Sequence, residues 1–196
     1  IAELKGLRSL DLSANSLTNL DQLSVLVGLE SLDVSTNLLK DVTFLDGLKN
    51  LRSLDLSDNG MADVSLIGKL PQLRFLSLRN CPVQHFSPLQ RLTQLQSLDL
   101  SGCRIKSINV LKGLQELEYL YLGGTDIHDF SFLKAFKKLK HLSLRDNGIE
   151  DASFVTEIPS LATVALYGNP LKTPPPPIAK QGIKAIRAYF EQRGKK

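Results

Sequence analysis

The 196-residue sequence has two cysteines, three histidines, one methionine and no tryptophan. Two cysteines cannot make a disulfide framework, which fits a reducing compartment such as the cytoplasm. The histidines, His85, His128 and His141, share no metal-ligand spacing with cysteines or acids. No apolar run is long enough to cross a bilayer, and no secretory leader is recognisable. Charge is weakly one-sided. The net +4 owes much to Lys172, Lys180, Lys184, Arg187, Arg193, Lys195 and Lys196. That basic tip is sparse, terminal and without interleaved aromatics, so nucleic acid is not an expected partner. A membrane is not expected either. The serines and aspartates repeat without a neighbouring base, and Gly123-Gly124 lacks the strand–glycine–helix context of a phosphate site. The expectation is no catalytic residue, no metal and no cofactor.

What the sequence has is a period. Leu7, Leu29, Leu51, Leu73, Leu95, Leu117, Leu139 and Leu161 recur every 22 residues. Such a period denotes a stack of similar units. Counted from these leucines, the second unit carries apolar residues at Leu29, Leu32, Val34, Leu39, Val42, Leu45 and Leu48. The fifth carries them at Leu95, Leu98, Leu100, Ile105, Ile108, Leu111 and Leu114. A further slot holds Asn15, Asn37, Asn59, Cys81, Cys103, Thr125, Asn147 and Asn169.

Stretches such as Ser9-Leu10-Asp11-Leu12-Ser13 alternate polar and apolar, the pattern of a half-buried strand. One strand per unit at a fixed offset predicts parallel, in-register pairing at about 4.8 Å, hence a sheet on the order of 35 Å across. The chain must then return on the opposite side. Asp21, Thr43, Ser65, Ser87, Asn109, Ser131 and Ser153 share one offset there and are read as N-caps. Pro88 after Ser87 suits a first helical position. About five residues remain for each return, enough for a 3₁₀ turn. The Asn slot should satisfy turn backbone groups and link units. Cys81, Cys103 and Thr125 are weaker substitutes, so the middle turns should be held less firmly. A lone unit cannot offset its ordering entropy, and neighbours must supply the rest.

The segments LRSLDLSAN (Leu7–Asn15) and LRSLDLSDN (Leu51–Asn59) resemble the leucine-rich repeat pattern LxxLxLxxN. The 22-residue form is similar to the subclass of bacterial internalins and a regulatory subunit of protein phosphatase 1. The resemblance covers residues 1–172 and implies an α/β solenoid: a curved horseshoe with a parallel concave sheet and short 3₁₀ turns on the convex side. It also implies protein recognition as the typical task.

Residues 173–177 read as a proline-rich spacer, and 178–196 as a capping helix and tail. The helix is expected over Ile178–Gln192, with Ile183, Ile186 and Phe190 on one face and Gly182 weakening its first turn. The segment Gly168–Phe190 resembles the end of the repeat domain in bacterial Roco proteins, although no GxxxxGK[ST] phosphate loop is present. At the other end the chain opens late in a unit, with Ile1 and Leu4 at the offsets of Leu23 and Leu26. The expectation is a fragment of a longer protein.

The expected partner is a protein or peptide, or a neighbouring domain of the same longer chain. The concave columns are monotonous in units one, two, three and five, as in Ser31-Asp33-Ser35. They change to Phe75 and Arg79, Tyr119 and Tyr121, His141 and Arg145, and Tyr167. Tyr and Arg dominate interface energies once desolvated. These seven are the candidate partner-binding residues, the alternative being that they pack only on neighbouring strand side chains. A second apolar column, Phe44, Leu66, Val110, Phe132 and Phe154, is either satellite core or a rival interface. Cys81 and Cys103 are read as buried thiols. The column Asp41, Asp63, Asp129 and Asp151, with His85 in line, should favour the turn that follows it.

Overall fold

The structure is a computed structural model, and it describes residues 4–105 and 108–194; Ile1, Lys195 and Lys196 lie outside them. Eight three-residue strands form one parallel sheet in chain order. They are Ser9–Asp11 (β1), Ser31–Asp33 (β2), Ser53–Asp55 (β3), Phe75–Ser77 (β4), Ser97–Asp99 (β5), Tyr119–Tyr121 (β6), His141–Ser143 (β7) and Thr163–Ala165 (β8). Each residue pairs with the residue 22 places on, as in Leu10 with Leu32 and Leu32 with Leu54. The central residue of each strand points inward. Leu32 and Leu54 are sealed, while Leu10 packs half-buried against the same core. The fold is an α/β solenoid, with the sheet on its concave side.

The chain returns through five-residue 3₁₀ turns: Asp21–Val25, Thr43–Gly47, Ser65–Lys69, Ser87–Arg91, Asn109–Gly113, Ser131–Ala135 and Ser153–Glu157. The capping expectation needs correction. Asp21, Thr43 and their equivalents are the first turn residues, and no side chain caps from the position before them. In five of the turns the cap comes from two residues upstream. Asp41, Asp63, Asp129 and Asp151 each accept the backbone N–H two residues on, at 2.7–3.1 Å, and Asn19 does the same for Asp21 at 2.8 Å. A five-residue turn is tight enough that its first N–H points back at the preceding loop. The hydrogen bonds of Thr43 hold the exposed Asp41 carboxyl below the usual carboxylate range.

The Asn slot does what its chemistry suggests, and it reaches backwards. Asn59 Nδ2 donates to Val34 O of the preceding unit at 2.9 Å and to Leu56 O of its own at 3.1 Å. Its Oδ1 accepts the Leu39 N–H at 3.0 Å. Asn37, Asn147 and Asn169 repeat the bridge. Cys81 and Cys103 keep the backward donation, Sγ to Leu56 O at 3.2 Å and to Leu78 O at 3.0 Å, and Cys81 Sγ also lies 3.7 Å from Arg79 O. A thiol is a weak acceptor and cannot replace the amide oxygen. Thr125 keeps less. Its single hydroxyl proton is shared between Leu122 O and Asn147 Oδ1, neither in the preceding unit.

The residue just before this slot is left-handed in every unit. It is Ala14, Thr36, Asp58, Asn80, Gly102, Gly124, Asp146 and Gly168, with φ between 53° and 74°. At Gly102 and Gly168 a neighbour also crowds the position, because a Cβ would meet Asn80 Oδ1 at 2.1 Å and Asp146 Oδ1 at 1.8 Å. Thr36, β-branched at φ 54°, is the most strained of the set.

The tail departs from a single helix over 178–192. It forms α1 (Pro176–Ala179) and α2 (Ile183–Gly194), broken at Gly182 with φ +86°. Pro176 and Pro177 open α1, where a missing N–H costs nothing. The helix α2 buries Ile183 and Ile186 against the last 3₁₀ turn. Arg187 Nη2 ties it down by donating to Ile158 O at 2.7 Å. The convex apolar column is largely core: Phe44 and Phe132 are buried, and Leu66, Val110 and Phe154 pack half-buried against them.

Asn59→Ala removes both halves of a buried bridge and should cost about 2–4 kcal/mol in urea unfolding. Asn15→Ala, at the exposed first slot, should cost less than about 1 kcal/mol by the same measurement. Thr36→Gly relieves the left-handed strain and should raise stability by about 1 kcal/mol in the same assay.

Candidate recognition surface

Pleating sends the first and third residues of each strand, and the residue two beyond, onto the concave face. Three columns result. Over β1–β3 and β5 the middle column is aspartate, and those carboxylates have backbone work. Asp11, Asp33, Asp55 and Asp99 accept the N–H of Ser13, Ser35, Ser57 and Ser101 at 2.8–2.9 Å. The hydrogen bonds from Ser13 hold the exposed Asp11 below its ordinary range. This part of the face is engaged in closing strand ends.

Over β6–β8 the columns change and the side chains couple across strands. Tyr119 and His141 are paired in register, with ring centroids 4.5 Å apart and planes 7° from parallel. His141 Nδ1 lies 2.8 Å from Thr163 Oγ1 on β8. Beside them Arg145 Nη1 donates to Tyr167 Oη at 3.1 Å. That bond, then the nearby Asp146 and Asp99 carboxylates, holds the guanidinium above its ordinary range. Gly123 makes room: a Cβ there would lie 2.5 Å from Arg145 Cγ. Tyr121 is exposed between the two pairs, and Tyr167 is 62% exposed.

The structure therefore brings Tyr119, Tyr121, His141, Arg145 and Tyr167 into one contiguous patch on three adjacent strands. Phe75 and Arg79, both exposed on the β4 unit, stand apart from it. Ser97 of β5 lies between Phe75 and Tyr119 in the ladder, so two strand spacings, roughly 10 Å, separate them. Thr163 and Gly123 are the participants that the residue-type reading passes over. The 22-residue offset is the signal that links Thr163 to His141 and Tyr167 to Arg145.

Outside this patch, no group of three or more His, Cys, Asp or Glu among the described residues is placed to hold a metal ion. No helix among them is long and apolar enough to cross a membrane. Cys81 and Cys103 are free and buried. Burial pushes the Cys81 thiol up to about 11 and the Cys103 thiol up to about 12. Both thiols should resist an aromatic disulfide reagent at pH 8 and react together on unfolding. The folded state favours the neutral thiol, so its stabilising contribution is complete below about pH 9. It should be lost as pH rises toward 11–12, which alkaline urea titrations would show as a falling unfolding midpoint.

Residues 5–47, 49–91 and 93–135 match the family Leucine Rich repeats (2 copies), and residues 137–153 match Leucine Rich repeat. No curated protein matches the chain. Among solved structures, an internalin (InlF) from Listeria monocytogenes is 32% identical with a TM-score of 0.79, over 87% of this chain and 50% of that one. An internalin C2 from the same organism is 31% identical with a TM-score of 0.80, over 87% of this chain and 76% of that one. A leucine-rich repeat protein of Leptospira interrogans shares the fold at 22% identity and a TM-score of 0.61, over 97% of this chain and 60% of that one. The chain thus spans half the length of the first of these structures and three quarters of the second. With its repeats matched over most of its length and its strands stacked in register, the chain belongs to the leucine-rich repeat family.

Proposed function

We propose that this chain is a non-catalytic recognition scaffold that binds a protein or peptide on its concave face. The contacts centre on Tyr119, Tyr121, His141, Arg145 and Tyr167, with Phe75 and Arg79 as a second contact point. One observation carries the reading: the aromatic and cationic side chains are concentrated on β6–β8, while the serine–aspartate strands are occupied with their own backbone. The pairs Tyr119–His141 and Arg145–Tyr167 are pre-ordered by neighbours, so little side-chain entropy is left to lose on binding. Tyr121 and Tyr167 stay exposed and offer rigid, amphipathic area.

A second reading is that the same scaffold is the regulatory repeat segment of a larger multidomain enzyme, such as a Roco-type GTPase. Its support is the lid, where the exposed Lys180, Lys184 and Arg193 face away from the core and suit an acidic neighbouring domain. A phosphate-loop motif encoded within a few dozen residues after Lys196 would favour this reading.

The test is a partner captured by the wild-type chain and then titrated calorimetrically. The combined variant Tyr119→Ala, Tyr121→Ala, Arg145→Ala should weaken binding by about a hundredfold or more. Unchanged affinity in a variant with wild-type circular dichroism rejects the concave site.

A further inference from the structure

The last strand has one unpaired edge. In each earlier unit, two N–H groups just beyond the strand donate to the next unit. Leu122 N and Gly124 N bond Ser143 O and Arg145 O; Leu144 N and Asp146 N bond Ala165 O and Tyr167 O. The equivalent groups in the eighth unit are Leu166 N and Gly168 N. Because β8 ends the sheet, they meet no ninth strand among the described residues. Ala162 O is in the same position, since its counterpart Lys140 O accepts the N–H groups of both Ala162 and Thr163. Donors and acceptor thus stand at the spacing of a parallel ladder.

The lid leaves this edge open. α2 packs on the last 3₁₀ turn and is tied to Ile158 and Pro159. That covers the convex half of the seventh unit. The strand half of the eighth unit stays partly uncovered: Val164 and Leu171 are half-buried, whereas their counterparts Leu142 and Ile149 are 3% and 5% exposed. Between β8 and α1 lies a recess of about 380 Å³, lined by Val164, Leu166, Leu171, Pro176, Ala179 and Lys180. It sits where the inward side chains of a ninth strand would fall. No acid lines it, and the exposed Lys180 stands at its rim, with the exposed Lys184 four residues on.

We propose that the β8 edge and this recess bind an extended acidic peptide from a partner protein. Its backbone adds as a ninth parallel strand on Leu166 N–H, Gly168 N–H and Ala162 O. An apolar side chain fills the recess, and a carboxylate meets Lys180. Strand addition takes its affinity from main-chain hydrogen bonds and its specificity from pockets for alternate side chains, and both elements are present here. The recess borders the concave patch at Tyr167, but the ladder groups proposed here are backbone ones, and the proposal stands whether or not that patch binds a partner.

A synthetic peptide tests this directly. The sequence LESLDVSTN, copied from residues 29–37 of this chain, already pairs with a parallel neighbour in the fold and carries two acids. Labelled at one end and titrated into the wild-type chain, it should bind saturably by fluorescence anisotropy. At saturation, hydrogen exchange at the Leu166 and Gly168 amides should slow. Ala179→Trp, which fills the recess, should weaken binding by about tenfold or more, and Lys180→Glu by about threefold or more. Absence of saturable binding overturns the proposal, as does unaltered exchange at the two amides with peptide bound. Equal affinity for a folded Ala179→Trp variant does the same. If that variant does not fold, the wild-type exchange experiment alone decides. Protection of the two amides that rises with protein concentration in the absence of peptide would mean a second copy occupies the edge, and would also overturn it.

Discussion

The structure depends on one hydrogen-bonded bridge repeated along the stack. At the end of each strand the chain turns through a left-handed residue, and the turn directs backbone N–H and C=O groups into a dry interior. In the second, third, seventh and eighth units a side-chain amide at the next position satisfies them and also reaches the strand end of the preceding unit. Leucine burial supplies most of the driving force, but burial is not directional. The amide bridge adds a directional tie between units, and the strand ladder holds the same register where cysteine or threonine replaces the amide. With the strands paired in register, the concave columns line up.

Column alignment is what turns a repetitive sequence into a surface with local character. A substitution in one unit always faces its copies in the adjacent units. Tyr119 therefore meets His141, which meets Thr163, and Arg145 meets Tyr167. The repeat framework stays constant while the exposed columns vary independently, because core and surface positions alternate along each strand. The aspartates of β1–β3 and β5 show the opposite use of the same positions, closing their own strand ends.

Much of this was legible in the amino-acid order because a period carries three-dimensional information. The strands, their parallel order, the inward leucines and the role of the Asn slot follow from offsets alone. So do the concave columns and the cross-strand partners within them. Three features were not fully legible. The left-handed position holds Ala, Thr, Asp, Asn and Gly in turn, so no residue type announces it; backbone geometry is imposed there by the turn. Capping was legible in part: the aspartate column favours the following turn as expected, but the Ser/Thr column two residues later does not cap, because only the tightness of the 3₁₀ turn decides between two columns of good acceptors. The lid breaks at Gly182, where a helix former would have continued; its apolar face over Ile183, Ile186 and Phe190 reads the same with or without the break. Phe75 and Arg79 share residue types with the patch on β6–β8, and only the intervening Ser97-Asp99 strand separates them.

The threonine at slot 125 has a mechanical consequence. In a linear array each joint is held only by its immediate neighbours, so compliance gathers where a joint has fewest ties. Between the fifth and sixth units the strand ladder persists, but the side-chain bridge does not cross. That joint lies immediately ahead of Tyr119. The three units bearing the aromatic cluster are thus joined to the remainder by backbone pairing and core burial, with no bond from the slot 125 hydroxyl across the seam.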